Sequence, residues 1–260
     1  VLASGGYPPL AKCIAGFLAV AFASCAVNVF NDFTDRERDK LIWPSRPIPS
    51  GRVRPAEALT VSVIAAAISL TLTWLFFTPA AFFILLGAAA LGVIYSVFLR
   101  DRVGYLALPP IVGLIYLGGW AAFSPETLNT WLPWYLYLLG AAWQAAHIMV
   151  YYPLHLKAGL KAPPAFFFRP APATAVKIGA ALAVLTLILS AGLVFLAPSL
   201  NALYLALVIA AGAYALFQAG RFLKNTGDNR LGIKAFTSLS VFRMVISVAV
   251  LLTVFLARWR

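Results

Sequence analysis

Eight long apolar runs, separated by short polar connections, make up most of the chain: residues 9 to 30, 56 to 78, 80 to 99, 104 to 123, 130 to 154, 172 to 197, 199 to 220 and 235 to 257. Each approaches the roughly 20 residues that a helix needs to cross a bilayer core of about 30 Å. Pro8, Pro79, Pro125, Pro163, Pro164, Pro170, Pro172 and Pro198 fall at or between the ends of these runs, where proline does least harm to a helix. Pro109 and Pro110 lie inside the fourth run and predict a helix that kinks there or begins late. A bundle lining a cavity tolerates such a break better than a lipid-facing helix does. The predicted fold class is all-α: a polytopic membrane helix bundle, one domain over residues 1–260, with eight transmembrane helices visible.

The connections carry the basic residues, and they carry them unevenly. Arg36, Arg38, Lys40, Arg46, Arg52 and Arg54 follow the first run; Arg100 and Arg102 follow the third. Lys157, Lys161, Arg169 and Lys177 follow the fifth, and Arg221, Lys224, Arg230 and Lys234 the seventh. The intervening connections near residues 79, 124 to 129 and 198 hold no Lys or Arg. The basic loops therefore share one face, which the positive-inside rule makes cytoplasmic. The first visible helix then runs inward, so a preceding transmembrane helix is expected to be missing, giving nine in all. The opening residues VLASGGYP, which resemble neither a signal peptide nor a helix, agree with a truncated N-terminus.

Composition narrows the class. With 62% hydrophobic and 11% charged residues, and a mean hydropathy of +0.90, the chain is neither a soluble globule nor a disordered segment. Its net charge of +12 has the sign of a nucleic-acid binder, but the basic residues sit in clusters between apolar runs rather than along a water-facing surface, so no nucleic acid is expected and membrane lipid is. Cys13 and Cys25 are twelve residues apart on one helix, about 18 Å, too far for a disulfide; both read as inert core residues. The GAAALG run at 87 to 92 and the GLIYLGG run at 113 to 119 read as small residues for close helix contact.

Half of the eight acidic residues fall in N31-D-F-T-D-R-E-R-D-K40, at the cytoplasmic end of the first visible helix. If the helix continues through it, Asn31, Asp35 and Asp39 share a face, with Asp32 one position round. Such oxygen ligands suit a hard cation such as Mg²⁺, which takes one or two carboxylates plus waters and phosphate oxygens. A solvated cluster of Asp to Arg pairs has the same spacing. Asn28, one turn before Asp32, is a candidate to orient its carboxylate, or to make an interhelical contact.

Downstream lies L41-I-W-P-S-R-P-I-P-S-G-R-V53. Together the two segments resemble the UbiA superfamily of intramembrane prenyltransferases, whose first signature is Asn-Asp-x-x-Asp-x-x-x-Asp followed by an Arg-Pro-rich turn; Asn31, Asp32, Asp35 and Asp39 all fit. Tyr95 and Arg100 in V93-I-Y-S-V-F-L-R100 resemble the family's Tyr-Ser followed by a basic residue. The resemblance implies nine helices, a lateral opening to the bilayer, a polyprenyl diphosphate donor, a small-molecule or lipid acceptor, and Mg²⁺ as cofactor. It implies that Asn31, Asp35 and Asp39 hold the metal, that Asp32, Asp35 and Asp39 form the catalytic constellation, and that Arg46 and Arg100 contact the diphosphate. It also implies a bacterial or archaeal cell membrane with the active-site loops cytoplasmic.

The family's second aspartate-rich signature is missing from W143-Q-A-A-H-I-M-V-Y-Y-P-L-H-L-K-A-G-L-K-A-P-P164. Gly159, Lys161 and Pro163 fit its tail, but His147, Tyr151 and His155 stand where carboxylates belong, and no Asp or Glu occurs between Glu126 and Asp228. His147, Tyr151, His155 and Lys161 are therefore candidate substrate contacts, beside Asn28, Arg46 and Arg100. Two histidines could instead serve Zn²⁺, but nothing supplies a third ligand. Arg243, inside the last run, is an intramembrane charge and so a site candidate, or a side chain that snorkels to the interface. The expected activity is Mg²⁺-dependent transfer of a prenyl group to an aromatic, quinone-precursor or lipid acceptor. Phosphoribosyl transfer to a polyprenyl phosphate, isoprenoid cyclisation, silent isoprenoid binding and transport are the alternatives.

Overall fold

Helices account for nearly all of the chain that the computed structural model describes, residues 8–42, 44–157 and 168–257. They are α1 (Leu10–Ile42), α2 (Pro55–Phe76), α3 (Pro79–Ile94), a π-helical turn (Tyr95–Leu99), α4 (Arg100–Val103), α5 (Leu108–Ala121), α6 (Trp131–Lys157), α7 (Pro172–Leu196), α8 (Ala202–Lys224) and α9 (Asn229–Ala257). The eight apolar runs correspond to α1, α2, α3, α5, α6, α7, α8 and α9, and α4 is a short connector. Among the described residues six helical segments are long and apolar enough to cross a membrane: those beginning at Leu10, Pro55, Pro79, Pro172, Ala202 and Asn229. The other two of the eight differ for identifiable reasons. Pro109 and Pro110 fall in the first turn of α5, so the helix begins late and spans 14 residues. In α6, Gln144, His147, His155 and several Trp and Tyr residues reduce the apolar character.

Local chemistry explains where the helices start. Pro55, Pro79 and Pro172 open α2, α3 and α7, positions where a missing N–H costs nothing. Thr78 Oγ1 accepts from the Ala81 amide, Asn201 Oδ1 accepts from the amides of Leu203 and Tyr204, and Asp228 Oδ1 accepts from those of Arg230 and Leu231. At α2 the Glu57 carboxylate receives both the backbone N–H and the guanidinium of Arg54. Pro153 is the exception, buried within α6 in the stretch that faces the site.

Sequential helices are neighbours around the bundle, and α6 also packs on α9, so that α6, α7, α8 and α9 form a closed group. The largest apolar core lies there, around Val150, Val176, Tyr204, Val208, Phe222 and Phe242. The N-terminal half is joined differently. Along α2, Ala58, Ser62, Ala65, Ser69 and Thr73 make one buried stripe of small residues. It lets α2 approach α1 closely enough for Ser62 Oγ and Ser69 Oγ to donate to the backbone carbonyls of Ala26 and Ala19, both at 2.8 Å.

The two glycine-rich runs behave differently. A Cβ on Gly113 would lie 2.7 Å from the Tyr137 ring, so the α5 to α6 contact needs that glycine. Gly87 and Gly92 of the GAAALG run face open space and make no close contact, because that side of α3 looks away from its neighbours. Neither cysteine is a core residue: Cys13 is partly buried, Cys25 is exposed, and both are free thiols on the sparsely covered face of α1.

Gly179 is the tightest backbone approach in the C-terminal group, since an added Cβ would meet Val150 Cγ2 at 2.8 Å, Val150 N at 3.1 Å and Ala146 O at 3.2 Å. Gly179→Ala is expected to destabilise the protein by about 1–3 kcal/mol, because backbone atoms cannot rotate aside; thermal unfolding in detergent should show a clearly lowered midpoint. Ser62→Ala should cost less, about 0.6–2 kcal/mol, the range for one interhelical hydrogen bond in a membrane protein.

Candidate active site

At 33 residues α1 is about 50 Å long, more than a bilayer core requires. Its last turns, carrying Asn31 to Asp39, therefore emerge at the membrane edge. The helix runs unbroken through this segment to Ile42, so Asp32, Asp35 and Asp39 line up on one face. Three carboxylates so placed repel one another, and the structure neutralises them from two directions.

Arg46 reaches back from the loop after α1. Its Nη1 donates to Asp39 Oδ2 at 2.7 Å and to Asp32 Oδ1 at 3.0 Å. The loop that presents it is a compact turn, in which Ser50 N bonds to Arg46 O and Val53 N to Pro47 O, with Gly51 at φ +76°. A side chain is strained at that angle, so the turn requires glycine. Partial burial opposes the charge on Arg46, but its hydrogen bond to Asp39 and the charges of Asp39 and Asp32 prevail and hold its pKa above the ordinary arginine value. Tyr151 of α6 also lies within electrostatic reach of this guanidinium.

The second cation comes through the π-helical turn, a local widening common at functional sites. Arg100 Nη1 pairs with Asp35 Oδ1 at 2.5 Å, with only 9% of the arginine side chain exposed. Its Nε is buried without a hydrogen-bond partner. From the same turn, Ser96 Oγ donates to Asn31 Oδ1 at 3.0 Å, and Tyr95 is buried beside it. Asn28 is exposed and makes no hydrogen bond to Asp32 among the described residues.

On α6 the predicted face exists as an aromatic ladder shared with α9. His147 stacks between Trp143 and Phe236, with ring centroids at 4.8 and 4.0 Å, and its Nε2 lies 3.0 Å from Ser240 Oγ. Phe236 leans on Tyr151, Tyr151 meets His155 edge-on, and His155 meets Tyr105. Trp143 Nε1 donates to Leu239 O. Arg243 does not snorkel: its guanidinium lies over the Trp143 ring at 4.3 Å. Lys161, with Gly159 and Pro163, lies outside the described residues.

Phe236 and Ser240 were absent from the sequence-based site, although their i, i+4, i+7 spacing with Arg243 marks one face of α9. Ser96 follows directly from the Tyr-Ser pair and was likewise passed over. Among the described residues no three His, Cys, Asp or Glu side chains cluster as a ready metal cage. Magnesium does not require one, because it binds through one or two carboxylates together with waters and phosphate oxygens. The hard oxygen donors of Asn31, Asp35 and Asp39 suit it, and the unsatisfied Nε of Arg100 suits a phosphate oxygen beside them.

The chain is 30% identical over 169 residues to a protoheme IX farnesyltransferase of Paenarthrobacter aurescens, covering 61% of this chain and 50% of that protein. It is 38% identical over 100 residues to a digeranylgeranylglyceryl phosphate synthase of Pyrococcus horikoshii, covering 37% of this chain and 34% of that protein. The chain thus spans half or less of the length of these relatives. The fold is that of a UbiA homolog from Archaeoglobus fulgidus bound to DMAPP and Mg²⁺, with a TM-score of 0.67, 22% identity, and coverage of 98% of this chain and 91% of that one. The same homolog bound to GPP and Mg²⁺ aligns at a TM-score of 0.66 and 21% identity, covering 95% and 88%. The family model described as UbiA prenyltransferase family matches residues 1–241, and the chain belongs to that family.

Proposed function

We propose that the protein transfers a prenyl group from a polyprenyl diphosphate to an aromatic, quinone-precursor or lipid acceptor within the membrane. The observation that carries this reading is the acidic face of α1 held between Arg46 and Arg100 at the membrane edge. It offers carboxylates for a cation and guanidinium groups for phosphate oxygens in one place, and guanidinium geometry matches phosphate. The relatives named for farnesyl transfer and digeranylgeranylglyceryl phosphate synthesis support the reaction class. The neighbouring structures bound to Mg²⁺ with GPP or DMAPP support the ligands.

In this reading Asn31, Asp35 and Asp39 hold Mg²⁺, and Asp32 with Ser96 fixes the constellation from either side. A bound Mg²⁺ supplies Lewis-acid neutralisation of the charge that develops on a departing diphosphate. Arg100 and Arg46 exchange their carboxylate partners in part for phosphate oxygens, orienting the diphosphate at the ends of α1 and the π-helical turn. His147, Tyr151 and His155 wall the opposite side. Because α6 offers no carboxylates there, the side chains that would hold the metal all lie on α1. The aromatic ladder excludes water from an electron-poor allylic carbon and faces it with ring π-systems. The basic loops at this end support a cytoplasmic orientation for it.

Purified protein given Mg²⁺, geranylgeranyl diphosphate and candidate acceptors should release pyrophosphate. Asp35→Asn should reduce that release by about 100-fold or more, the scale for loss of a preorganised electrostatic group. Chelation should abolish it and added Mg²⁺ restore it. No release from any donor, or equal release by wild type and Asp35→Asn, would sink the proposal. Arg100→Gln should also lower thermal stability by about 1–3 kcal/mol, because it removes one charge-assisted contact of the Asp35 carboxylate.

A further inference from the structure

Arg243 takes no part in the charged cluster at the end of α1. It stands fourteen residues into α9, about 21 Å from the start of a helix about 43 Å long. That is the middle of the helix, and about 12 Å into the apolar run that begins at residue 235. Its side chain turns toward α6: the guanidinium rests on Trp143, itself buried, and is within electrostatic reach of His147 and of Tyr116 on α5. Arg243 is itself exposed, so its guanidinium stands at an open space bordered by α5, α6 and α9. No carboxylate pairs with it among the described residues, and Asp228, the nearest acidic residue in sequence, is about 22 Å away along the helix axis. An intramembrane cation aimed inward with no protein counter-ion calls for an anionic ligand.

Its surroundings describe that ligand. Trp143, His147 and Phe236 form a stacked aromatic shelf, and Ser240, one turn before Arg243, adds a hydroxyl. Trp143 lies eight residues, about 12 Å along α6, from Tyr151, the α6 residue within electrostatic reach of Arg46. The two cationic centres are thus separate, one at the membrane edge and one inside.

We propose that Arg243, braced on Trp143, binds a carboxylate or phosphate group of the acceptor, and that the protein selects anionic acceptors whose body lies along the aromatic shelf. The name acceptor rests on the transferase reading; the anion site does not. Binding is therefore measured without donor or Mg²⁺, so either idea can fail while the other stands. Equilibrium dialysis of the purified chain in detergent would compare benzoate, phenyl phosphate and neutral benzamide. Wild type should bind one of the anions about 10-fold or more tighter than benzamide, as expected for a charge-assisted pair. Arg243→Gln should lose that preference and Arg243→Lys should keep part of it. Tighter binding of benzoate marks a carboxylic acid acceptor, and tighter binding of phenyl phosphate marks a phosphate-bearing one. Equal binding of all three probes by wild type, or an undiminished preference in Arg243→Gln, overturns the proposal. Should the Gln variant not fold, photocrosslinking of wild type with para-benzoylbenzoate decides: label on the Trp143 or Arg243 segments supports the site, and label only elsewhere overturns it.

Discussion

The mutual repulsion of three aspartates on one helical face is the constraint that organises this molecule. Asp32, Asp35 and Asp39 cannot share the end of α1 without cations beside them, and two of the nearby cations are engaged elsewhere: Arg36 folds onto the ring of Phe33 and Lys40 pairs with Glu37. Further compensation comes from farther along the chain, from Arg46 in a compact loop and from Arg100, directly after the π-helical turn. Each pairing draws a separate segment onto α1. The loop, the turn and the helix end are thereby held in one place before any ligand arrives, so little reorganisation is left for binding.

The two halves of the bundle reach stability by different physics. The C-terminal group of helices buries a large apolar core around Tyr204 and Phe222. The pairing of α1 with α2 uses a stripe of small residues and two serine hydroxyls on backbone carbonyls. Lipid tails are as apolar as leucine, so close approach and hydrogen bonds, not burial alone, define how such helices meet. The site lies where the halves face one another, with charge contributed by α1 and aromatic rings by α6 and α9. That division suits a reaction that moves an anionic leaving group away from an apolar chain.

Much of this was legible in the sequence. The apolar runs located the eight long helices, and the prolines and basic loops marked their ends and their common face. The spacing of Asn31, Asp35 and Asp39 depends only on helical periodicity, so a helix continuing to Ile42 was enough to gather them. Helix α9 begins earlier than its apolar run, at Asn229, within polar residues that the hydropathy pattern assigns to a loop, because Asp228 caps its first amides. The glycines of the GAAALG run were misjudged because composition cannot say which side of a helix meets a neighbour.

What the sequence determined by itself was local: helices set by apolar length, capped by Thr78, Asn201 and Asp228, and patterned at intervals of four. What only the tertiary structure decided was pairing. That Arg46 bridges Asp32 and Asp39, that Arg100 takes Asp35, and that Phe236 slots between His147 and Tyr151 follows from how helices far apart in the chain are brought together. A charge or a ring carries no record of its partner along the chain, because Coulomb attraction and stacking act through space.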